Sequence, residues 1–140
     1  MTFKLYNYYR SSASYRVRIA LHLKGLYFEY ITVHLLNNGG EHNSSSYAAL
    51  NEMKQVPTFV TDKGSMSQSM AIIEYLDQVN ANPKLFPSDL VLRSKVIEIC
   101  EDINSGIQPL QNMSVNKFLE THLSASKDQV KNWNIHWITK

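Results

Sequence analysis

The chain has 140 residues, 44% of them hydrophobic and 19% charged, which suits one packed domain or two small ones and argues against a disordered chain. Fourteen basic against twelve acidic side chains leave a net charge of +2, too slight a bias to imply nucleic acid, and the single cysteine, Cys100, excludes an internal disulfide and a thiolate metal cluster. No apolar run approaches the ~20 residues of a membrane helix, and the polar, aromatic start MTFKLYNYYRSSA does not read as a signal peptide, so the expectation is a cytoplasmic globular protein with no membrane partner.

Residues 3–8 alternate apolar and polar side chains and predict a short strand. A small polar stretch at 10–14 precedes a helical pattern in which Val17, Ala20, Leu21 and Lys24 share one stripe, with Ile19 and Leu23 beside it. Gly25 stands where a helix end wants a left-handed residue, and 28–35 reads as a second strand, completing a parallel βαβ unit. A polar loop over 37–46 and a weak helix near 47–50 lead to a strand at 56–61, a turn at 62–64 and a very short return strand at 65–67. Met70, Ile73, Leu76 and Val79 then mark an amphipathic helix.

Two prolines within 80–88 suggest a linker, and Ser88 is a suitable N-cap for a helix beginning at its far end. Leu92, Val96, Ile99, Ile103 and Ile107 predict one long helix, broken or kinked at Pro109, and further helices are expected over 112–123 and 127–138. The end of the chain carries Trp133, Ile135, Trp137 and Ile138, an apolar face without a visible partner. Either a longer helical domain is cut short here, or an oligomer covers that surface.

Three places in the first half have a plain reading and a chemical one. Ser11, Ser12 and Ser14 serve first as helix caps. The same helix N-terminus, with Arg10, Arg16 and Arg18 in the turn, also favours an anion, including a thiolate held by a hydroxyl. Pro57 is either an edge-strand proline or a cis-proline that turns the Val56 amide and carbonyl toward a peptide-like ligand. Ser67 or Ser69 caps the next helix, or Gln68 and Ser69 receive a carboxylate. Together these sites suit a short peptide bearing a thiol and a free carboxylate. The five histidines show no metal-ligand spacing, His22 reads as a surface or boundary residue, and Cys100 reads as a buried, inert thiol. The absence of a CxxC pair argues against disulfide exchange.

The segments SSASYRVRIALHLKG (11–25), NEMKQVPTF (51–59), QSMAIIEYL (68–76) and GIQPLQNMSV (106–115) resemble the zeta-class glutathione transferases, the maleylacetoacetate isomerase family, from residue 3 to at least 120. The resemblance implies an α/β thioredoxin-like N-terminal domain over 1–80 that binds glutathione. A linker over 81–88 and the start of an all-α, incomplete C-terminal domain over 89–140 complete the implied architecture. It further implies glutathione as cofactor, a homodimer, and cis–trans isomerisation of maleylacetoacetate to fumarylacetoacetate in aromatic amino-acid breakdown.

By position, Ser11 and Ser12 would stand at the glutathione sulfur as the catalytic pair, with Ala13, Ser14, Tyr15 and Arg16 completing that turn. Val56 beside Pro57 would pair with the peptide backbone, and Gln68 and Ser69 would hold the γ-glutamyl carboxylate. His42 falls where the family often has Gln, and Gln108, Asn112, Met113 and Ser114 fall where the helical domain closes over the site. Alanine at 13 departs from the cysteine of animal members and matches bacterial ones. Family members also continue well beyond residue 140. Three other readings stay open: a general glutathione-conjugating enzyme, a maleylpyruvate isomerase, and a truncated, non-catalytic glutathione-binding or dimerising module.

Overall fold

A computed structural model describes residues 2–80 and 82–139; Ala81, within the expected linker, lies outside them. The chain divides into two compact units, Met1–Leu85 and Phe86–Lys140.

The first unit is built in the order expected from its alternating periods. Strand β1 (Phe3–Asn7) leads to helix α1 (Ser12–Leu23) and strand β2 (Phe28–Thr32). Two single 3₁₀ turns and the short helix α2 (Ser45–Ala48) come next, then the hairpin β3 (Thr58–Thr61) and β4 (Gly64–Ser67), and helix α3 (Ser69–Val79). The sheet runs β2-β1-β3-β4, with β1 and β2 parallel and both remaining pairings antiparallel. The core joins Phe3 and Leu5 of β1, Phe59 of β3, Val17, Ala20 and Leu21 of α1, and Ile72 and Leu76 of α3. Burying each of the larger side chains contributes roughly 1.5–3 kcal/mol.

Helix α1 ends as its glycine predicts. Gly25 takes a φ of 62°, its amide donates to the His22 carbonyl at 3.0 Å, and the Leu26 amide donates to the Leu21 carbonyl at 3.0 Å. That is the paired closure of a Schellman end, in which a residue without a Cβ satisfies the last carbonyls. Lys24 follows its stripe inward and is buried with its charge. Its ammonium pairs with the Asp77 carboxylate of α3 and donates to the Asn80 carbonyl at 2.7 Å and to the Pro83 carbonyl. Asp77 also accepts from the Leu85 amide at 2.8 Å, and the Asn80 side chain donates back to the Lys24 carbonyl at 2.8 Å. Every proton of the ammonium has an acceptor, the condition under which a buried charge is tolerated.

Several boundaries differ from the sequence reading. β2 stops at Thr32 because the backbone at His34 is engaged by the loop after it. In α3 the buried positions are Ser69, Ile72, Leu76 and Asp77, so the inward face is turned by about one residue and Val79 is exposed. Neither Ser67 nor Ser69 caps that helix; Gln68 holds the N-cap position without a side-chain cap bond.

The second unit is helical: α4 (Leu90–Glu101), α5 (Met113–His122) and α6 (Lys127–Ile138). Asp89 caps α4 in place of Ser88, its carboxylate accepting from the Leu92 amide at 2.9 Å, where the negative charge also faces the positive helix end. The expected single long helix leaves α geometry at Glu101, widens into a π-helical stretch over Asp102–Ile107, and tightens into a 3₁₀ turn over Gln108–Gln111. Pro109 explains the change, since it lacks an amide hydrogen and its ring crowds the carbonyl four residues back, at Ser105. Helix α6 starts with a complete capping box between Ser126 and Gln129. Inside the unit the Trp133 indole donates to the Leu110 carbonyl at 2.6 Å and Phe118 stacks on His122. Cys100 is only half-buried, as are Trp133 and Trp137, while Ile135 and Ile138 are exposed. No helix among the described residues is long and apolar enough to cross a membrane.

Candidate functional site

The sheet register assembles the site. Tyr6 of β1 stands opposite Thr58 of β3, and Thr58 stands opposite Ser67 of β4. Asn7 of β1 stands beside Thr32 at the end of β2. The next residues along each strand therefore leave the sheet at one end: the β1–α1 turn, the loop after β2, Val56-Pro57, and Gln68-Ser69. Three sequence-derived candidates and the loop bearing His42 share that end.

In the β1–α1 turn the capping and chemical readings prove compatible. Ser11 is the N-cap, its hydroxyl oxygen accepting from the Ser14 amide at 3.1 Å, and its own amide donates to the Tyr8 carbonyl at 3.1 Å. Its hydroxyl proton remains available to an anion. Ser14 is buried and its hydroxyl accepts from the Tyr8 amide at 3.5 Å, so this serine holds the turn from inside. Ser12, the first helical residue, is exposed and lines an open depression of about 270 Å³ with Tyr9, Arg10, Ser11, Tyr15 and Arg18. Ala13 and Arg16 are half-buried beside it in the helix's first turns.

Arg18 does more than raise the local potential. Its guanidinium donates to the Asn7 side chain at 2.8 Å and to the Tyr8 and Tyr9 carbonyls at 3.4 and 3.2 Å, and lies over the Tyr15 ring at 5.1 Å. Asn7, fully buried, donates in turn to the Leu5 and Ile31 carbonyls. This network sets the turn on which Ser11 and Ser12 sit. Its signal in the sequence was a polar residue, Asn7, on the face of β1 that otherwise carries the apolar Phe3 and Leu5.

The Val56-Pro57 bond is cis, with Pro57 buried and Val56 half-buried. The chain reaches it through a clamp that sequence reasoning missed. The Gln55 carbonyl accepts from the Tyr47 phenol at 2.6 Å and from the Asn51 side chain at 2.7 Å, and both residues also bond Thr58. Burial pushes the Tyr47 phenol above its usual value, against the lowering effect of its Thr58 and Asn51 bonds. An Asn five residues before a Val-Pro pair was the available sign.

Gln68 has a φ of 69° and a ψ of 112° and is exposed, while Ser69 behind it is buried. A non-glycine residue in that region costs of order 1–3 kcal/mol, and such backbone strain clusters at ligand sites. His42 is half-buried over Gly40, and its Nδ1 is a buried atom without a hydrogen-bond partner. Burial, and then the positive charge of Lys54, hold this imidazole below its ordinary pKa.

The remaining candidates belong to the second unit. Gln108 opens the 3₁₀ turn. Asn112 caps α5, accepting from the amide and hydroxyl of Ser114 at 3.2 and 3.3 Å, and Met113 between them is exposed.

A mixed four-stranded sheet, a cis-proline at one end of it and a helix N-terminus beside that proline define a thioredoxin-like domain. Residues 1–78 match the glutathione S-transferase N-terminal domain, and the chain belongs to that family. Maleylacetoacetate isomerase of Rattus norvegicus is 49% identical over 113 residues, 81% of this chain and 52% of the rat protein. Its counterpart in Pseudomonas aeruginosa is 43% identical over 136 residues, 96% of this chain and 64% of that protein. Among solved structures, a zeta-class maleylpyruvate isomerase superposes with a TM-score of 0.92 at 36% identity, over 97% of this chain and 63% of its own. A maleylacetoacetate isomerase of Anaeromyxobacter dehalogenans, solved with glutathione in its active site, gives 0.81 at 38% identity, over 99% and 63%. The chain thus spans between about half and two thirds of the length of these relatives. The expected likeness to zeta-class enzymes is borne out.

Proposed function

We propose that the chain binds glutathione at the assembled sheet end and acts as a glutathione-dependent isomerase of maleylacetoacetate. The carrying observation is the register that brings the α1 N-terminus, Val56-Pro57 and Gln68-Ser69 to one edge. The residues there suit the tripeptide. The helix end and serine hydroxyls match a thiolate, the Val56 backbone an extended peptide, and the strained turn at Gln68 with the α3 N-terminus a carboxylate. The unpartnered His42 Nδ1 offers one further polar contact.

When bound, glutathione would supply reversible thiolate addition and elimination, by which a cis double bond becomes single, rotates, and re-forms trans as the C–S bond breaks and the thiolate is released. The chain's part is to keep the sulfur anionic and to hold the acid substrate. Ser12 would donate to the sulfur, Ser11 would assist from the cap, and the helix end adds its partial positive charge. A hydrogen bond to a charged group is worth about 1.5–3 kcal/mol, or about one to two in pKa. Arg10, exposed at the rim of the depression, would attract the substrate carboxylates. Gln108, Asn112, Met113 and Ser114 are candidates on the family resemblance alone. The same reading has the chain working in the cytoplasm as a homodimer.

The test is a coupled assay with glutathione and maleylacetoacetate, run beside calorimetry of glutathione binding. Ser12→Ala should raise the thiol pKa of bound glutathione by about one to two, followed by thiolate absorbance. Unchanged absorbance sinks the assignment of Ser12. Absence of both binding and turnover in the unaltered protein sinks the reading as a whole. Maleylpyruvate is the second substrate to assay, since a maleylpyruvate isomerase and a maleylacetoacetate isomerase both superpose at 0.92.

A further inference from the structure

The loop after β2 is organised around one imidazole. His34 Nδ1 accepts from the Leu36 amide at 3.2 Å and from the Asn37 amide at 3.0 Å. The His34 amide donates to the Glu41 carboxylate at 2.6 Å, and the Glu41 amide donates to the His34 carbonyl at 2.8 Å. The Asn37 carbonyl then accepts from the Gly40 amide at 2.8 Å. Gly40, with a φ of 96°, gives the His42 ring its seat: a Cβ there would stand 2.3 Å from His42 Cε1 and 2.9 Å from the Leu35 carbonyl oxygen. A continuous chain of bonds and contacts runs from the His34 ring through Asn37 and Gly40 to His42.

We propose that His34 is the positioning residue of this loop, and that its neutral Nε2–H form sets the place of His42 in the site. The proposal rests on the glutathione reading, since His42 is the group it delivers. An imidazole that accepts two amides at Nδ1 must carry its proton on Nε2. The other tautomer, with its hydrogen on Nδ1, would meet two donors and replace two hydrogen bonds with repulsion. The groups facing His34 are the Tyr8 ring, edge-on at 5.0 Å, and the Glu41 carboxylate on its amide; Lys54 is the charge acting on His42.

The experiment uses the full chain, isotopically labelled for NMR, with His34→Asn and His34→Ala variants and calorimetry of glutathione binding at pH 7.5. Asparagine carries an oxygen that can accept in place of Nδ1. The His34 ring should show the Nε2–H tautomer, with the Leu36 and Asn37 amides bonded to Nδ1. His34→Ala should lose about tenfold in exchange protection at both amides and about tenfold in glutathione affinity at pH 7.5. His34→Asn should recover most of both. An Nδ1–H tautomer, or Leu36 and Asn37 amides indifferent to His34, overturns the proposal. So does a loosened loop with unchanged glutathione affinity. If the unaltered protein binds no glutathione, the glutathione reading fails, and the tautomer and amide data still decide whether His34 holds the loop.

Discussion

His42 and Gln68 show how single residues are held against their own preference, and each yields a test. The folded chain resists protonating His42, through burial first and Lys54 second. The unfolded chain takes that proton near 6.5. The unfolded state thus gains protons first as pH falls, so the fold weakens on the acid side and is unaffected by this group above neutrality. His42→Gln should flatten the acid limb of a stability-against-pH curve, and an unaltered limb contradicts the assignment. For Gln68, glycine removes a backbone cost of about 1–3 kcal/mol and adds roughly 0.5–1 kcal/mol of unfolded-state entropy. Gln68→Gly should hold or raise the Tm while weakening glutathione binding. Gln68→Val, branched at a left-handed position, should lower the Tm by roughly 5 °C. Equal melting of the two variants would mean that the backbone at 68 is relaxed.

Between elements the Lys24–Asp77 pair is the main lock. It ties the end of α1 to α3 and to Asn80, Pro83 and Leu85 through three backbone bonds. Removing one member leaves an uncompensated buried charge, at a cost of about 3–5 kcal/mol. Lys24→Met and Asp77→Leu should each destabilise by that amount in urea unfolding, and the double variant by clearly less than their sum. Strict additivity would show that the two side chains do not act together. The sequence placed Lys24 on the apolar stripe of α1, yet nothing local named Asp77, 53 residues away, as its partner.

For the whole molecule, the two units differ in how well they cover themselves. The first has a closed core of buried side chains spread over α1, α3 and the sheet. The second, among its described residues, exposes Leu90, Val91, Leu92, Ile99, Ile103 and Phe118, with Leu90 at 77%. Apolar side chains exposed in a group, as Leu90, Val91 and Leu92 are, bind hydrophobic probes. The 140-residue protein should therefore brighten a hydrophobic dye and sediment as more than a monomer at micromolar concentration. A dye-silent, monodisperse monomer would contradict that exposure.

What the sequence determined by itself is local. The order of strands and helices, the glycine end of α1, the serine-led start of that helix and the proline stop near residue 109 arise from periodicity, capping chemistry and missing amides. Those forces act within a few residues. The resemblance of the serine, Val-Pro and Gln-Ser segments to one family was also legible, because each is a contiguous stretch. Only the tertiary structure decided which of these segments meet, since strand register depends on cross-chain pairing that no local pattern encodes. The same holds for the supports around them: Arg18 on the Tyr8–Tyr9 turn, Tyr47 and Asn51 on Gln55, and His34 on its loop. Each is a polar side chain whose role is defined by a backbone group that folding brings to it.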